Sequence, residues 1–215
     1  MYLSKITLTL HSNDAELLFK GGEKTKQFIP GFFFAQKRMN AIFAMGMKDN
    51  PYAETALIEI DLRLEEVEQF IAKAIEKSEA ALEQAKQDGM TVALLKKDVP
   101  TNYDIDYATE YSNLLARMML RADLGFRYLR SAHSSGYLDT EIATEFIKGI
   151  RRNVRMVFDR ASTYAKKIQP GITREDLLKK TDKGKSMIEK LGMPNEKILS
   201  GEMTFKHKRI TELGL

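Results

Sequence analysis

The chain contains no cysteine, no tryptophan and only three histidines. Without cysteine it has no disulfide framework and no thiol chemistry, which fits a reducing, cytoplasmic compartment. His11, His133 and His207 lack the paired spacing of a zinc site, so we expect neither a metal nor another cofactor. The most apolar stretch, 28–47, is interrupted by Pro30 and by charged residues. It therefore predicts no membrane span, and the N-terminus lacks the layout of a signal peptide.

The motifs of common enzyme classes are also missing. The sequence has no nucleophile elbow, no protein-kinase signature and no dinucleotide-binding fingerprint. The glycine-containing turn at 21–26 lacks the Gly-Lys-Ser/Thr ending of a phosphate loop. Carboxylates are frequent between 54 and 68, where their spacing is typical of a solvated helix face. We therefore expect a protein that is not an enzyme.

Charge is distributed unevenly along the chain. Residues 1–100 carry 13 basic and 15 acidic side chains, whereas residues 101–215 carry 21 and 15. The second part thus has a net charge of +6 and the first a net charge of −2. This asymmetry indicates an anionic partner for the second part, and nucleic acid is favoured over a membrane.

A basic stripe is predicted on the helix that follows residue 139. Lys148 and Arg152 are one helical turn apart, as are Arg151 and Arg155. These four residues are candidates for contacts with DNA phosphates, which provide affinity without reading sequence. The alternative is that they lie on the surface and pair with the acidic helix predicted at 54–88.

The first residues of the chain alternate between polar and apolar side chains. Lys5, Thr7 and Thr9 share the polar face, and this period of two predicts a strand over 4–11 followed by a helix that Ser12 caps. A lone terminal strand must find a partner. We hypothesise that it pairs antiparallel with its copy in a homodimer, because a two-stranded ribbon fits the DNA major groove. Lys5, Thr7 and Thr9 would then contact bases. The alternative is an ordinary sheet inside its own domain.

A second segment offers another place for a DNA-reading strand. Tyr103–Asp106 is strand-like and also precedes two predicted helices. Asp104 and Asp106 would repel phosphates, so the N-terminal strand is the preferred reader. A further short strand is expected at 91–95.

The rest of the pattern is helical and predicts a bundle. The helix at 52–88 carries an apolar seam over four heptads, which fits either an antiparallel bundle or a coiled-coil dimer. We expect a single, mainly α-helical domain. Its predicted parts are a ribbon-helix-helix-like unit at 1–48, a long-helix bundle at 52–168 and a basic C-terminal segment at 169–215.

Several stretches together resemble a protein family of integrating conjugative elements and large conjugative plasmids. The stretches are Leu-Thr-Leu-His-Ser at 8–12, Asp-Asn-Pro-Tyr-Ala at 49–53, the helical region 107–130 and Leu-Gly-Met-Pro-Asn-Glu-Lys-Ile-Leu-Ser-Gly at 191–201. The family typically has acidic residues where this chain has Asn50, an aspartate where it has Glu54, and tryptophans that this chain lacks. These departures indicate a diverged branch, which is most similar to the AcaB type.

The resemblance implies a transcriptional activator of conjugative transfer genes with a ribbon-helix-helix type of DNA-binding unit. The expected partners are promoter double-stranded DNA, a second copy of the chain and, for activation, RNA polymerase or another factor. The alternative function is a non-enzymatic structural or adaptor protein of a conjugation system, which docks through the heptad helix.

Overall fold

A computed structural model describes residues 5–24, 27–106 and 109–207. Helices dominate the fold, as the periodicity predicts. In chain order the elements are β1 (Lys5–Leu10), α1 (Asn13–Lys20), β2 (Gly22–Lys24), β3 (Gln27–Ile29), α2 (Phe32–Gly46), α3 (Pro51–Gln87), β4 (Thr101–Asp106), α4 (Glu110–Ser134), α5 (Thr140–Lys167), α6 (Arg174–Leu178), α7 (Asp182–Leu191) and α8 (Glu196–Leu199).

The core of the bundle forms where α2, α3, α4 and α5 pack against one another. Leu57, Ile60 and Ile71 of the α3 seam are buried in it. Gly149 of α5 lies under the ring of Phe70, where a Cβ atom would come within 2.3 Å of Cζ, so glycine allows the close approach of α3 and α5. The seam of α3 therefore packs inside its own chain, which confirms the bundle interpretation over the coiled-coil dimer.

Helix starts follow from side chains that the sequence places before them. Asn50 caps α3 by accepting hydrogen bonds from the backbone N–H groups of Tyr52 and Ala53, and Pro51 occupies the first turn. Thr109 caps α4 and Asp139 caps α5 in the same way. These caps satisfy backbone donors that a helix cannot pair internally.

The partner of β1 differs from the one that the sequence analysis expects. β1 pairs antiparallel with β4 of the same chain, from Lys5 opposite Asp106 to Leu10 opposite Thr101. Leu8 and Ile105 are buried beneath this ribbon. β4 thus pairs with one edge of β1 and extends its apolar face. The sequence analysis expected a second copy of the chain to provide both the pairing and the apolar contact. The two alternative placements of the reading strand are the two strands of one ribbon.

Two smaller features complete this region. β2 and β3 form a short antiparallel hairpin, with Gly22 opposite Ile29. The prediction of a short strand at 91–95 is wrong, because that segment joins neither sheet in the described part of the chain. It runs along α4 instead, where the Leu95 N–H donates to Ser131 Oγ at 2.7 Å.

The segment after α5 packs back onto the bundle. Ile172, Leu177, Met187 and Phe205 are buried, so much of the predicted C-terminal segment contributes to the core. Its backbone is also held, since the Lys206 N–H donates to Asp61 Oδ2 at 3.3 Å.

Candidate nucleic-acid interface

The outward face of the ribbon carries polar side chains from both strands. Thr7 is exposed and Thr9 half-buried, and Asn102, Asp104 and Asp106 of β4 are exposed beside them. The Thr7 hydroxyl donates to Asp104 Oδ1 at 3.0 Å. Two of the three predicted base-contacting residues therefore share one surface with side chains of β4.

Lys5, the third of them, begins β1 opposite Asp106, and its side chain lies outside the described part of the chain. The carboxylates that lowered the rank of 103–106 as a reading strand thus belong to the same face as Thr7. Carboxylates repel phosphates, but they accept hydrogen bonds from cytosine N4, and an asparagine pairs with adenine. This face is suited to discriminating between bases and contributes little affinity of its own.

A buried carboxylate fixes the point where the ribbon passes into α1. Asp123 of α4 accepts hydrogen bonds from the backbone N–H of His11 at 3.1 Å and of Ser12 at 2.8 Å. The Ser12 hydroxyl in turn accepts from the Ala15 N–H and caps α1. The end of β1 is therefore positioned by the helical bundle, so the outward face of the ribbon has a defined orientation.

The predicted basic stripe lies on α5, and its members differ in environment. Lys148 and Arg152 are exposed and make no ion pair within the described residues. Arg151 pairs with Asp14 of α1. Arg155 is half-buried, and its Nε is a buried atom without a hydrogen-bond partner among the described residues. The alternative of pairing with the acidic helix α3 is therefore wrong for these four residues.

Farther along α5, one more basic residue lies near the acidic helix. Arg160 lines a shallow depression with Glu59 and Glu66 of α3. The nearby Tyr164 hydroxyl donates to Glu59, and burial together with that bond raises the pKa of Tyr164 to about 12. Arg160 is therefore close to carboxylates of α3 but makes no ion pair with them within the described residues.

Basic residues lie where the ribbon ends, and Arg151 alone among them was singled out by the sequence analysis. They line a cleft of about 480 Å³ between α1, the segment before β4, α4 and α5. We call this the basic cleft. Its five basic residues are Lys96, Lys97, Arg127, Arg130 and Arg151. The only sequence signals for it are the adjacent lysines and the spacing of three between the α4 arginines.

Acidic side chains hold part of this basic set in place. Asp14, which is buried, accepts from Arg130 Nε at 3.2 Å and pairs with Arg151 as well. Lys97 pairs with Glu16 and donates to Thr101 Oγ1 at 2.9 Å. Hydrogen bonds from Lys20 and Lys97 lower the pKa of Glu16 to about 2.

The basic cleft is continuous with the ribbon. The Lys97 N–H donates to the carbonyl of His11 at 2.9 Å, directly after β1, and Lys97 Nζ reaches Thr101 at the start of β4. The Arg127 Nε donates to the carbonyl of Leu95 at 3.0 Å, which ties the same segment to α4. The segment that lines the cleft is therefore bonded to the end of the ribbon.

The stretch at 49–53 builds a different cluster, which we call the anchor cluster: Asn50, Tyr52, Glu54 and Arg174. The Tyr52 hydroxyl donates to the carbonyl of Gly192 at 2.8 Å, and burial raises the pKa of Tyr52. The fully buried Glu54 accepts from Arg174 Nη2 at 2.6 Å. This cluster joins the start of α3 to the C-terminal segment and presents little to a ligand.

The described residues show neither a metal-binding cluster nor a membrane-spanning helix. Among the described residues, no group of three or more histidine, aspartate or glutamate side chains is arranged to hold a metal ion. Within the same residues, no helix combines the length and the apolar character needed to cross a membrane.

Comparison with known proteins agrees with the resemblance found in the sequence. Residues 2–210 match the family model described as transcriptional regulator AcaB. The crystal structure of selenomethionine-containing AcaB from uropathogenic E. coli has a similar fold, with a TM-score of 0.55 over 94% of this chain and 96% of that chain. The two sequences are 14% identical, so this likeness concerns the fold alone. No curated protein matches the chain. The chain belongs to the AcaB family of transcriptional regulators.

Proposed function

We propose that this protein is a sequence-specific DNA-binding activator of conjugative transfer genes, which reads the major groove with the ribbon of β1 and β4. The observation that carries the proposal is the ribbon itself, an exposed polar face of two antiparallel strands next to a basic surface. A two-stranded ribbon of this kind fits the major groove. Membership of a family of transcriptional regulators supports DNA as the partner.

The connectivity around the ribbon supports the same proposal. Each strand is followed by a helix, α1 after β1 and α4 after β4, and the next long helices, α2 and α5, pack against each other. Ribbon-reading proteins commonly assemble two strands and their helices from two protomers. In this protein one chain supplies both halves, so the reading unit does not depend on dimerisation.

The proposed contacts divide into two kinds. Lys5, Thr7 and Thr9 contact base edges, and Lys148 and Arg152 contact phosphates from α5. Arg151 and Arg155 have the weaker claim to direct contact, since one is paired with Asp14 and the other is half-buried. The proposal also includes a homodimer that places two ribbons on successive half-sites, and contact with RNA polymerase for activation.

A comparison of two DNA fragments tests the proposal. The protein is titrated against a transfer-operon promoter fragment and a scrambled fragment of equal length in gel-shift assays. We expect a preference for the promoter of about a hundredfold or more at physiological salt. The double change Lys5→Ala, Thr7→Ala should remove most of this preference, because each good base contact contributes about 1–3 kcal/mol of discrimination.

The control for that experiment is the pair Lys73→Ala, Lys77→Ala on α3. Both side chains are exposed and make no ion pair within the described residues. The control variant should keep the wild-type preference for the promoter fragment. Equal binding of both fragments by the wild type would refute sequence-specific recognition.

The alternative expected from the sequence is an adaptor that docks through the heptad helix α3. Its seam residues, such as Leu57, Ile60 and Ile71, are buried against the other helices, so only the outward faces of α3 remain for such a partner. DNA-binding regulation is therefore the function that the geometry supports best.

A further inference from the structure

We propose that the basic cleft binds a phosphate group of the DNA backbone at the end of the ribbon. This inference rests on the proposed function and assigns to the cleft a role separate from base reading. Lys96, Arg127 and Arg130 then provide affinity, while the ribbon provides discrimination.

Positive charge is in excess in the basic cleft. Five basic side chains line the cleft, and among the described residues only Asp14 and Glu16 are paired with them, which leaves a surplus of three positive charges. Lys96 is exposed and has no hydrogen-bond or ion-pair partner in the described part of the chain. A surplus of this size in one concave place attracts anions.

The arginines of the cleft keep hydrogen-bond donors for a ligand. A guanidinium has five N–H donors. Arg127 uses its Nε for the Leu95 carbonyl, and its terminal amino groups make no hydrogen bond within the described residues. Arg130 uses Nε and Nη2 for Asp14, so Nη1 has donors to spare. Guanidinium groups held in this way are suited to phosphate oxygens.

Two arginines of the cleft are held in place by a buried carboxylate. Asp14 is 7% exposed and joins Arg130 of α4 to Arg151 of α5. Because the two arginines start from different helices, the buried carboxylate fixes their separation. A site that is held in place before the ligand arrives spends less conformational entropy on binding.

The shape of the site favours an extended backbone over a small free anion. The cleft is open, it continues towards the ribbon through Lys97, and it continues along α5 because Lys148 lies one turn before Arg151. The exposed side chains of Leu17 and Leu95 lie on its walls and are suited to apolar contact with a sugar. A strand of DNA can follow this surface, whereas a single phosphate would fill only part of it.

The test uses the full chain and the double variant Lys96→Ala, Arg130→Ala. Asp14 keeps Arg151 as a partner in this variant, so the fold should be preserved. Affinity is measured for the promoter fragment and the scrambled fragment at several salt concentrations. We expect it to fall for both fragments alike, by about tenfold, with the slope of log K against log salt reduced by about one to two. The preference for the promoter should stay unchanged.

The matched control is again Lys73→Ala, Lys77→Ala, which removes the same charge from α3 and should keep the slope of the wild type. Lys96→Glu gives a second variant at an exposed position. It should weaken binding of both fragments more than Lys96→Ala does, because it replaces attraction by repulsion.

Three outcomes would overturn the inference. If the wild type binds DNA and the cleft variants keep its slope, the cleft is not a backbone site, and the proposed function stands without it. If inorganic phosphate or a mononucleotide binds the wild type but not the double variant, and DNA affinity is unchanged, the cleft serves a free anion. If the wild type binds no DNA, the proposed function and this inference both fail.

Discussion

The basic cleft and the anchor cluster are both built by stretches that carry the family resemblance, yet they use their charges in opposite ways. In the anchor cluster, the buried Glu54 and the largely buried Arg174 satisfy each other. In the cleft, Lys96 has no partner within the described residues, and Arg127 and Arg130 keep free donors. The stretch at 49–53 therefore contributes to the packing of the fold, whereas the cleft, two of whose arginines lie in the stretch 107–130, keeps donors at its surface.

The difference has a physical origin in burial. A buried charge without a partner costs several kcal/mol, so the anchor cluster depends on its exact pairings. An exposed lysine or arginine costs little to leave unpaired, so the cleft can keep its charges for an anion. Substitutions in the anchor cluster should accordingly lower the stability of the fold, whereas substitutions in the basic cleft should lower DNA affinity.

The largest effect is expected for Arg174→Ala. This change leaves the carboxylate of Glu54 buried without its arginine, so the free energy of unfolding should fall by about 3 kcal/mol. Urea unfolding measures it, and DNA affinity of the folded fraction should be unchanged. Arg152→Ala is the control, since that side chain is exposed and unpaired within the described part of the chain. Similar losses in the free energy of unfolding for Arg174→Ala and Arg152→Ala would contradict the contrast between buried and exposed charges.

The next effect concerns the start of α3. Asn50→Ala removes the side-chain acceptor for the N–H groups of Tyr52 and Ala53, together with the bond from Asn50 Nδ2 to the Gln169 carbonyl. We expect a loss of about 1–2 kcal/mol in the free energy of unfolding. Asn50→Asp keeps the cap and should recover part of it. A full loss in both variants would place the importance of this position elsewhere than in the cap.

A smaller effect is expected for Tyr52→Phe. The ring stays buried, and only the hydrogen bond to the Gly192 carbonyl is lost, so the cost should be about 1 kcal/mol. Limited proteolysis of the segment after α5 offers a second readout. Unchanged stability and unchanged cleavage would show that this bond does not help to hold the C-terminal segment.

The smallest effect is expected for Glu16, which pairs with Lys97 of the basic cleft. The pKa of Glu16 is lowered from 4.5 to about 2, so its ion pairs stabilise the fold above about pH 4.5 and lose that effect as the pH falls through about 2. Glu16→Gln should cost at most about 1 kcal/mol at pH 7, since pairs near the surface contribute little. Urea unfolding at pH 7 and pH 2 should show the difference disappear at the lower pH. A constant difference would assign the effect to packing.

Much of the fold was predictable because its signals are local. The alternation in β1, the cap before α1 and the seam of α3 each predict an element from neighbouring residues. The partner of β1 was not predictable, because Lys5 and Asp106 are brought together only by the folded bundle. Both strands were visible in the sequence, but their pairing was not.

The candidate site was harder to predict from the sequence, for the same reason. The stripe on α5 is visible because its residues repeat at helical spacing. Lys96 lies in the segment before β4 whereas Arg127 and Arg130 lie on α4, and each alone is an ordinary surface residue. The strand predicted at 91–95 does not form, because no sheet edge of the described chain accepts this segment.

The most direct test of the account uses the absence of cysteine from the natural sequence. A short photo-crosslinker is attached to a single cysteine at Asn102→Cys on the ribbon, or at Ser186→Cys on α7 as the matched exposed control. The account predicts strong cross-linking to promoter DNA from position 102 and little from position 186. Cross-linking from position 186 alone would contradict it, because the DNA would then bind away from the ribbon.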